Sequence, residues 1–166
     1  MSDGRVFHAA AGERHVLRYQ GRADYMMAPA IERFADHLFD GNGPTVLVFD
    51  LREASMLDST NLGLLARLAS RVDEAGGRAT IVSSNDDVTD VLRSMGLAAM
   101  FEIASDDMLL HEVDGEAEIL PEATGQRDLR RTILEAHRVL ARIDGNDSGA
   151  FRAVVEGLEA ELESAS

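Results

Sequence analysis

The most constraining feature of the sequence is the run Thr45-Val46-Leu47-Val48-Phe49-Asp50-Leu51, apolar almost without a break and rich in β-branched residues. A strand solvated on one face would alternate with polar residues; an unbroken run is the mark of a strand covered on both faces, usually inside a parallel sheet. A second buried run, Arg78-Ala79-Thr80-Ile81-Val82-Ser83, follows after one helix-length segment. Parallel neighbours need a crossover, and the segment between the two runs, starting near Ser59 and Thr60 and ending at Gly76-Gly77, supplies it.

The remaining elements extend this pattern. Val6–Ala10 and His15–Gln20 are expected as strands about the turn Ala11-Gly12-Glu13. Met27, Ile31, Phe34 and Leu38 recur at helical spacing behind Pro29, which a first helical turn tolerates, and the helix stops at Asp40-Gly41-Asn42-Gly43-Pro44. Ser84-Asn85-Asp86-Asp87 precede a helix carrying Val88, Val91, Leu92 and Met95, ended by Gly96 with apolar Leu97 behind it, a Schellman-type stop. Phe101-Glu102-Ile103 reads as a short edge strand and Ser105–Val113 as a helix. Strands alternating with helices define an α/β domain over residues 1–113. Glu112, Asp114, Glu116, Glu118 and Glu122, with Gly115 and Pro121, then make an acidic connector over 114–126. Residues 127–166 carry two apolar stripes, Leu129/Ile133/Ala136/Leu140/Ile143 and Phe151/Val154/Val155/Leu158/Leu162, about the turn Gly145–Gly149, and read as a C-terminal αα-hairpin. Two helices alone have a thin core, so the hairpin leans on its own domain, on a second copy in a homodimer, or on a partner.

Composition narrows the function. Thirty acidic residues against sixteen basic ones, all arginine, give a formal charge of −14. Phosphate backbones and anionic lipid would repel such a chain, so neither direct nucleic-acid binding nor membrane binding is expected. No apolar run reaches the roughly 18 residues of a membrane span, and no secretory leader is read at the N-terminus, so a cytoplasmic protein is expected. Without cysteine there is no thiolate site, and the five histidines show no metal-ligand spacing, so no metal or cofactor is expected. Asp86-Asp87 and Asp106-Asp107 suit helix starts. Gly41-Asn42-Gly43 precedes a strand where a phosphate loop would follow one, and no Gly-x-Ser-x-Gly surrounds Ser59. No convergent catalytic set is legible, which favours a regulatory protein over an enzyme. Arg127, Arg130, Arg131, Arg138 and Arg142 form the one basic cluster, serving either to pair with neighbouring acids or to contact an acidic surface.

The stretch that carries chemistry is Met56-Leu57-Asp58-Ser59-Thr60-Asn61-Leu62-Gly63-Leu64-Leu65. Asp58, Ser59 and Thr60 all suit a helix start. Their role is either capping alone or presentation of a serine hydroxyl for phosphorylation, which would add about 1.5–2 negative charges beside Asp58. At 100° per residue, Leu62, Leu65, Ala66, Ala69 and Val72 form one apolar face of the following helix. Leu64, Leu68 and Ala75 widen it to about 200°, against the roughly 100° stripe a core-facing helix needs. The surplus is either covered by the C-terminal hairpin or forms a docking edge beside the serine.

Asp58-Ser59-Thr60-Asn61-Leu62-Gly63, between a central strand and a helix, resembles the Asp-Ser-Ser/Thr-Gly-Leu-Gly signature of the STAS domain family, the anti-sigma factor antagonists of bacterial partner-switching systems. The resemblance extends to Gly21-Arg22-Ala23-Asp24, to Ala79–Ser83, and to Val91-Leu92-Arg93-Ser94-Met95-Gly96-Leu97 leading to Phe101-Glu102-Ile103. It implies a small mixed β-sheet with packed helices, to which the αα-hairpin is an addition. It also implies phosphorylation at Ser59, with Asp58, Thr60, Asn61, Leu62, Gly63, Leu64 and Leu68 as switch and partner-binding residues. The implied partners are an anti-sigma factor that is also a serine kinase, bound by the unphosphorylated form, and a serine phosphatase that removes the phosphate. ATP and metal would belong to those partners. The alternative within the same fold is a subunit of a lipid-transport or stress-signalling assembly, with Ser59 only a helix cap. Asn61 stands where the signature has glycine, and the expectation is that asparagine substitutes through its tolerance of unusual backbone angles.

Overall fold

The central apolar run forms the axis of a six-stranded mixed sheet of order β5-β4-β3-β2-β1-β6. The computed structural model describes residues 4–41, 43–83, 86–104, 114–121, 123–143 and 150–164. Its strands are β1 (Arg5–Ala11), β2 (Arg14–Ala23), β3 (Val46–Leu57), β4 (Arg78–Val82), β5 (Glu102–Ala104) and β6 (Asp114–Ile119). Its helices are α1 (Ala28–Leu38), α2 (Ser59–Glu74), α3 (Asp86–Ser94), α4 (Gln126–Ala141) and α5 (Ala150–Ser164).

β1 and β2 are an antiparallel hairpin turning at Gly12, whose φ of 61° is open to glycine at no steric cost. The β2/β3, β3/β4 and β4/β5 pairs are parallel. Alternate residues of β3 therefore enter different clusters. Leu47, Phe49 and Leu51 join Leu17, Tyr19 and Ile81 in the main core with α1, α2 and α3. Val48 packs with Val16 and Val82 in a smaller cluster. This two-sided burial is what the unbroken run required. β3 also runs six residues beyond the apolar stretch, carrying the chain to the entrance of α2. Gly96 (φ 74°) stops α3: the Leu97 amide reaches back to the Leu92 carbonyl at 2.9 Å and Leu97 is fully buried, the Schellman arrangement expected.

Part of the acidic connector is a strand. β6 pairs antiparallel with β1 at the sheet edge, and its acids bind arginines: Arg5 with Glu118 and Arg18 with Glu116, both at 2.7 Å, Arg18 also meeting Glu53. Charged side chains suit an edge strand because they oppose pairing with a further chain. The same charges hid the strand from a reading based on apolar alternation. The expected helix over 105–113, the caps Ser84 and Asn85, and the turn 145–149 lie outside the described residues.

α4 and α5 pack against each other, and α4 docks on the domain, along α2 and against α1. Its buried residues are Thr132, Leu134, Ala136, His137 and Leu140. The chain's own domain, one of the alternatives left open for the hairpin, supports α4. Members of the arginine cluster pair with acids, Arg138 with Glu135 and Glu159, Arg130 with Glu161, and Arg131 with Asp128.

Candidate functional site

The site is the junction of β3 and α2. Asp58 is the N-cap of α2, extended at φ −77° and ψ 173°, and its carboxylate accepts from the Asn61 amide at 2.9 Å. This satisfies one of the orphan donors of the first turn. Ser59 is the first helical residue and is half-buried.

Asn61 is the third helical residue and fully buried, so its role is not one of backbone angle. Its side-chain NH2 faces three oxygens: the Ala23 carbonyl at 3.2 Å, the Asp24 carbonyl at 2.9 Å and the Asp58 carboxylate at 2.9 Å. Three acceptors on one side fix which end of the amide is nitrogen. The Asp58 amide also donates to the Ala23 carbonyl at 3.1 Å. The two separated pieces of the signature, residues 21–24 and 58–63, are thus bolted together. A glycine at position 61 could not make the side-chain bonds.

Ser59 is held from outside the signature. Its hydroxyl lies 3.0 Å from His137 Nε2, and His137 Nδ1 lies 2.8 Å from the Ile133 carbonyl. A carbonyl can only accept, so Nδ1 carries a proton. In the neutral ring Nε2 then presents its lone pair, and the Ser59 hydroxyl donates to it. One helical turn on, Gly63 lies under the α4 backbone, where an added Cβ would be 2.3 Å from the Ala136 carbonyl oxygen. A further anchor lies along the same helix, where Glu32 of α1 accepts from Thr132 of α4 at 3.0 Å and also meets Arg67 of α2.

The expected site residues separate into two groups. Asp58 and Ser59 remain partly accessible, whereas Thr60, Asn61, Leu62, Gly63, Leu64 and Leu68 are buried. The wide apolar arc of α2 is therefore consumed within the fold except at Ala75, which lies past the helix end as its C-cap and is exposed. The apolar surface that does remain near the serine lies on neighbouring segments. Met56 at the end of β3 and Val91 of α3 are 36% and 41% exposed and line a groove of about 140 Å3 with Leu57, Leu62 and Val88. Tyr25 and Met26, in the turn after Asp24, are 45% and 53% exposed. No helical spacing within one segment could single these out. His137 was equally invisible, since it stands 78 residues from Ser59 as one unremarkable position on an amphipathic helix. No cluster of three or more histidine, aspartate or glutamate side chains able to hold a metal occurs among the described residues. No helix among them is long and apolar enough to cross a membrane.

Comparison with known proteins decides the family. The model of the STAS domain matches residues 9–107, more than half of the chain. The chain belongs to the STAS domain family. Among solved structures, the STAS fold found here is similar to that of the anti-sigma factor antagonist SpoIIAA in its unphosphorylated form. The TM-score is 0.54 at 20% identity, covering 63% of this chain and 92% of that one. It is also similar to the Bacillus cell fate determinant SpoIIAA in its phosphorylated form, with TM-score 0.53, 18% identity, and 63% and 96% covered. No curated protein matches. The STAS match ends before β6, α4 and α5, so His137 reaches Ser59 from beyond the part of the chain that carries the family's pattern.

Proposed function

We propose that this STAS protein is an anti-sigma factor antagonist in a bacterial partner-switching pathway, a cytoplasmic regulator and not an enzyme, with Ser59 as its phosphorylation site. In its unphosphorylated form it binds an anti-sigma factor that is also a serine kinase and thereby frees the sigma factor. Phosphorylation at Ser59 ends the binding, and a serine phosphatase restores it. ATP and metal belong to the partners, and the chain itself carries no cofactor.

The observation that carries this reading is the position of Ser59: first residue of a helix capped by Asp58, half-buried, with Leu57 and Leu62 on either side of it in sequence lining the Met56/Val91 groove. A helix N-terminus accommodates negative charge, so a phosphate there leaves the fold standing. A partner pressed against the groove would meet a dianion beside Asp58 and be repelled. The chemistry gates docking and spares folding. Asp58, Thr60, Asn61, Leu62, Gly63, Leu64 and Leu68 serve the switch in two ways: Asp58 at the surface, the rest by setting the serine's position from beneath.

A second reading is favoured by the Ser59–His137 bond. Here the serine only anchors α4 and caps α2, and the protein is a STAS subunit of a lipid-transport or stress-signalling assembly. The two separate in one assay. The chain and its Ser59→Ala variant are incubated with ATP and each purified anti-sigma factor serine kinase of the source organism. Phosphate uptake by the parent and none by Ser59→Ala is expected; equal uptake by both, or none by either, overturns the proposal.

A further inference from the structure

The outer half of the switch is roofed by a segment of the same chain. α4 lies beyond residues 9–107 of the family match, yet it crosses α2 at Ser59 and at Gly63, the two positions one turn apart on a single stripe. The approach at Gly63 is backbone to backbone, leaving no room for a second molecule while α4 is in place. α4 is held by Leu140, which enters the main core with Val139 and Ile143 packed against it, by buried Leu134 and Ala136, and by polar contacts at the site itself: His137 to Ser59, and Thr132 to the Glu32 that Arg67 also binds. Its outer side carries α5, tied on by the Arg138–Glu159 and Arg130–Glu161 pairs and by Phe151, whose ring centroid lies 6.0 Å from that of His137. All of α5 except its inner stripe faces outward, with Val154 41% exposed.

We propose that α4 is a detachable cover which competes, from within the chain, with the protein partner of the Ser59 face, and that His137 is its latch. This rests on the partner-switching reading above. In the closed form the Ser59 hydroxyl donates its hydrogen bond to His137 Nε2 and the Ser59/Gly63 stripe is occupied; in the open form both are free for a kinase that must close around the serine. Only the open fraction binds, so the apparent affinity is the intrinsic affinity scaled by that fraction. Any event that draws α4 and α5 away would then sensitise the switch without touching the STAS domain itself.

The absence of cysteine makes the test direct. Leu140→Cys places a single thiol beneath α4, at a position now fully buried, and Thr80→Cys places one within β4, at a position 4% exposed. Alkylation of each folded chain by iodoacetamide is followed by intact mass and normalised to the rate in the urea-unfolded chain. Labelling of the Leu140→Cys chain at least tenfold faster than the Thr80→Cys chain is expected. Adding His137→Ala should raise the first rate at least threefold and leave the second unchanged. Equal rates for the two thiols, or equal acceleration of both by His137→Ala, overturns the proposal, because α4 would then leave only when the whole domain unfolds. Where Leu140→Cys disturbs folding, Ala136→Cys takes its place. With the kinase that phosphorylates Ser59 in the assay above, the His137→Ala chain should bind at least threefold more tightly than the parent; equal or weaker binding also overturns the cover. Should no kinase phosphorylate Ser59, the partner-switching reading falls, and the thiol rates still decide whether α4 detaches.

Discussion

Asn61 shows how one residue can replace a motif glycine by a different physical route. Its NH2 group spans the Ala23 and Asp24 carbonyls and the Asp58 carboxylate, so it joins the helix entrance to the β2–α1 junction. Asn61→Gly restores the signature but strands these buried acceptors and adds backbone freedom. Losing buried hydrogen bonds of this kind costs about 1–3 kcal/mol, and the urea midpoint should fall accordingly with the slope unchanged. Gly63 is constrained from the opposite direction. A methyl group there would meet the Ala136 carbonyl oxygen at 2.3 Å, a backbone atom that cannot swing aside as a side chain would. Overpacking of a closed interface costs roughly 1–3 kcal/mol. Gly63→Ala should therefore lower stability by that amount in urea denaturation, despite the better helix propensity of alanine.

At the scale of elements, the β1–β2 hairpin carries a built-in pH response. His8 Nε2 and His15 Nδ1 are 2.9 Å apart, with the Phe34 ring 4.6 Å from that of His8. Desolvation lowers the pKa of both rings below the usual 6.5, and the neighbouring His15 charge lowers His8 further. The unfolded chain consequently binds protons that the folded one refuses. The stability these rings contribute is fully present above about pH 6.5 and is lost as pH falls below it. Glu116 and Glu118, held below 4.5 by Arg18 and Arg5, lose theirs only below that value, so the two windows are separate. Urea midpoints should decline between pH 7.5 and 5.5, and His15→Gln should flatten that decline. For α4, Leu140→Ala removes a fully buried side chain and should cost about 2–5 kcal/mol. The elements were unequally legible. β3 announced itself through apolar residues in a row, and α2 through its caps and arc. β6 was hidden because Glu116 and Glu118 look like a solvated linker until Arg18 and Arg5 are beside them. The partner of the α2 surplus was also out of reach. That α4 meets α2 depends on contacts some 70–80 residues apart, which local periodicity does not encode.

Across the whole molecule, the proposed switch lies apart from what holds the fold. The main core, with Leu17, Phe49, Leu65 and Ile81 fully buried, is apolar apart from the Tyr19 hydroxyl, and the carboxylate buried on β3, Asp50, is paired with Arg52. The residues of the proposed switch, Ser59 and Asp58, and the proposed latch His137 lie at the margin where a hairpin from outside the family match meets the family's signature. An excess of fourteen negative charges adds a long-range component, since a phosphate on Ser59 enlarges a charge of the same sign. The most direct measurement is titration calorimetry of the anti-sigma factor kinase with the chain before and after stoichiometric phosphorylation of Ser59. A loss of at least tenfold in affinity, about 1.4 kcal/mol, is the predicted result. Equal affinity for the two forms would contradict a switch at this serine.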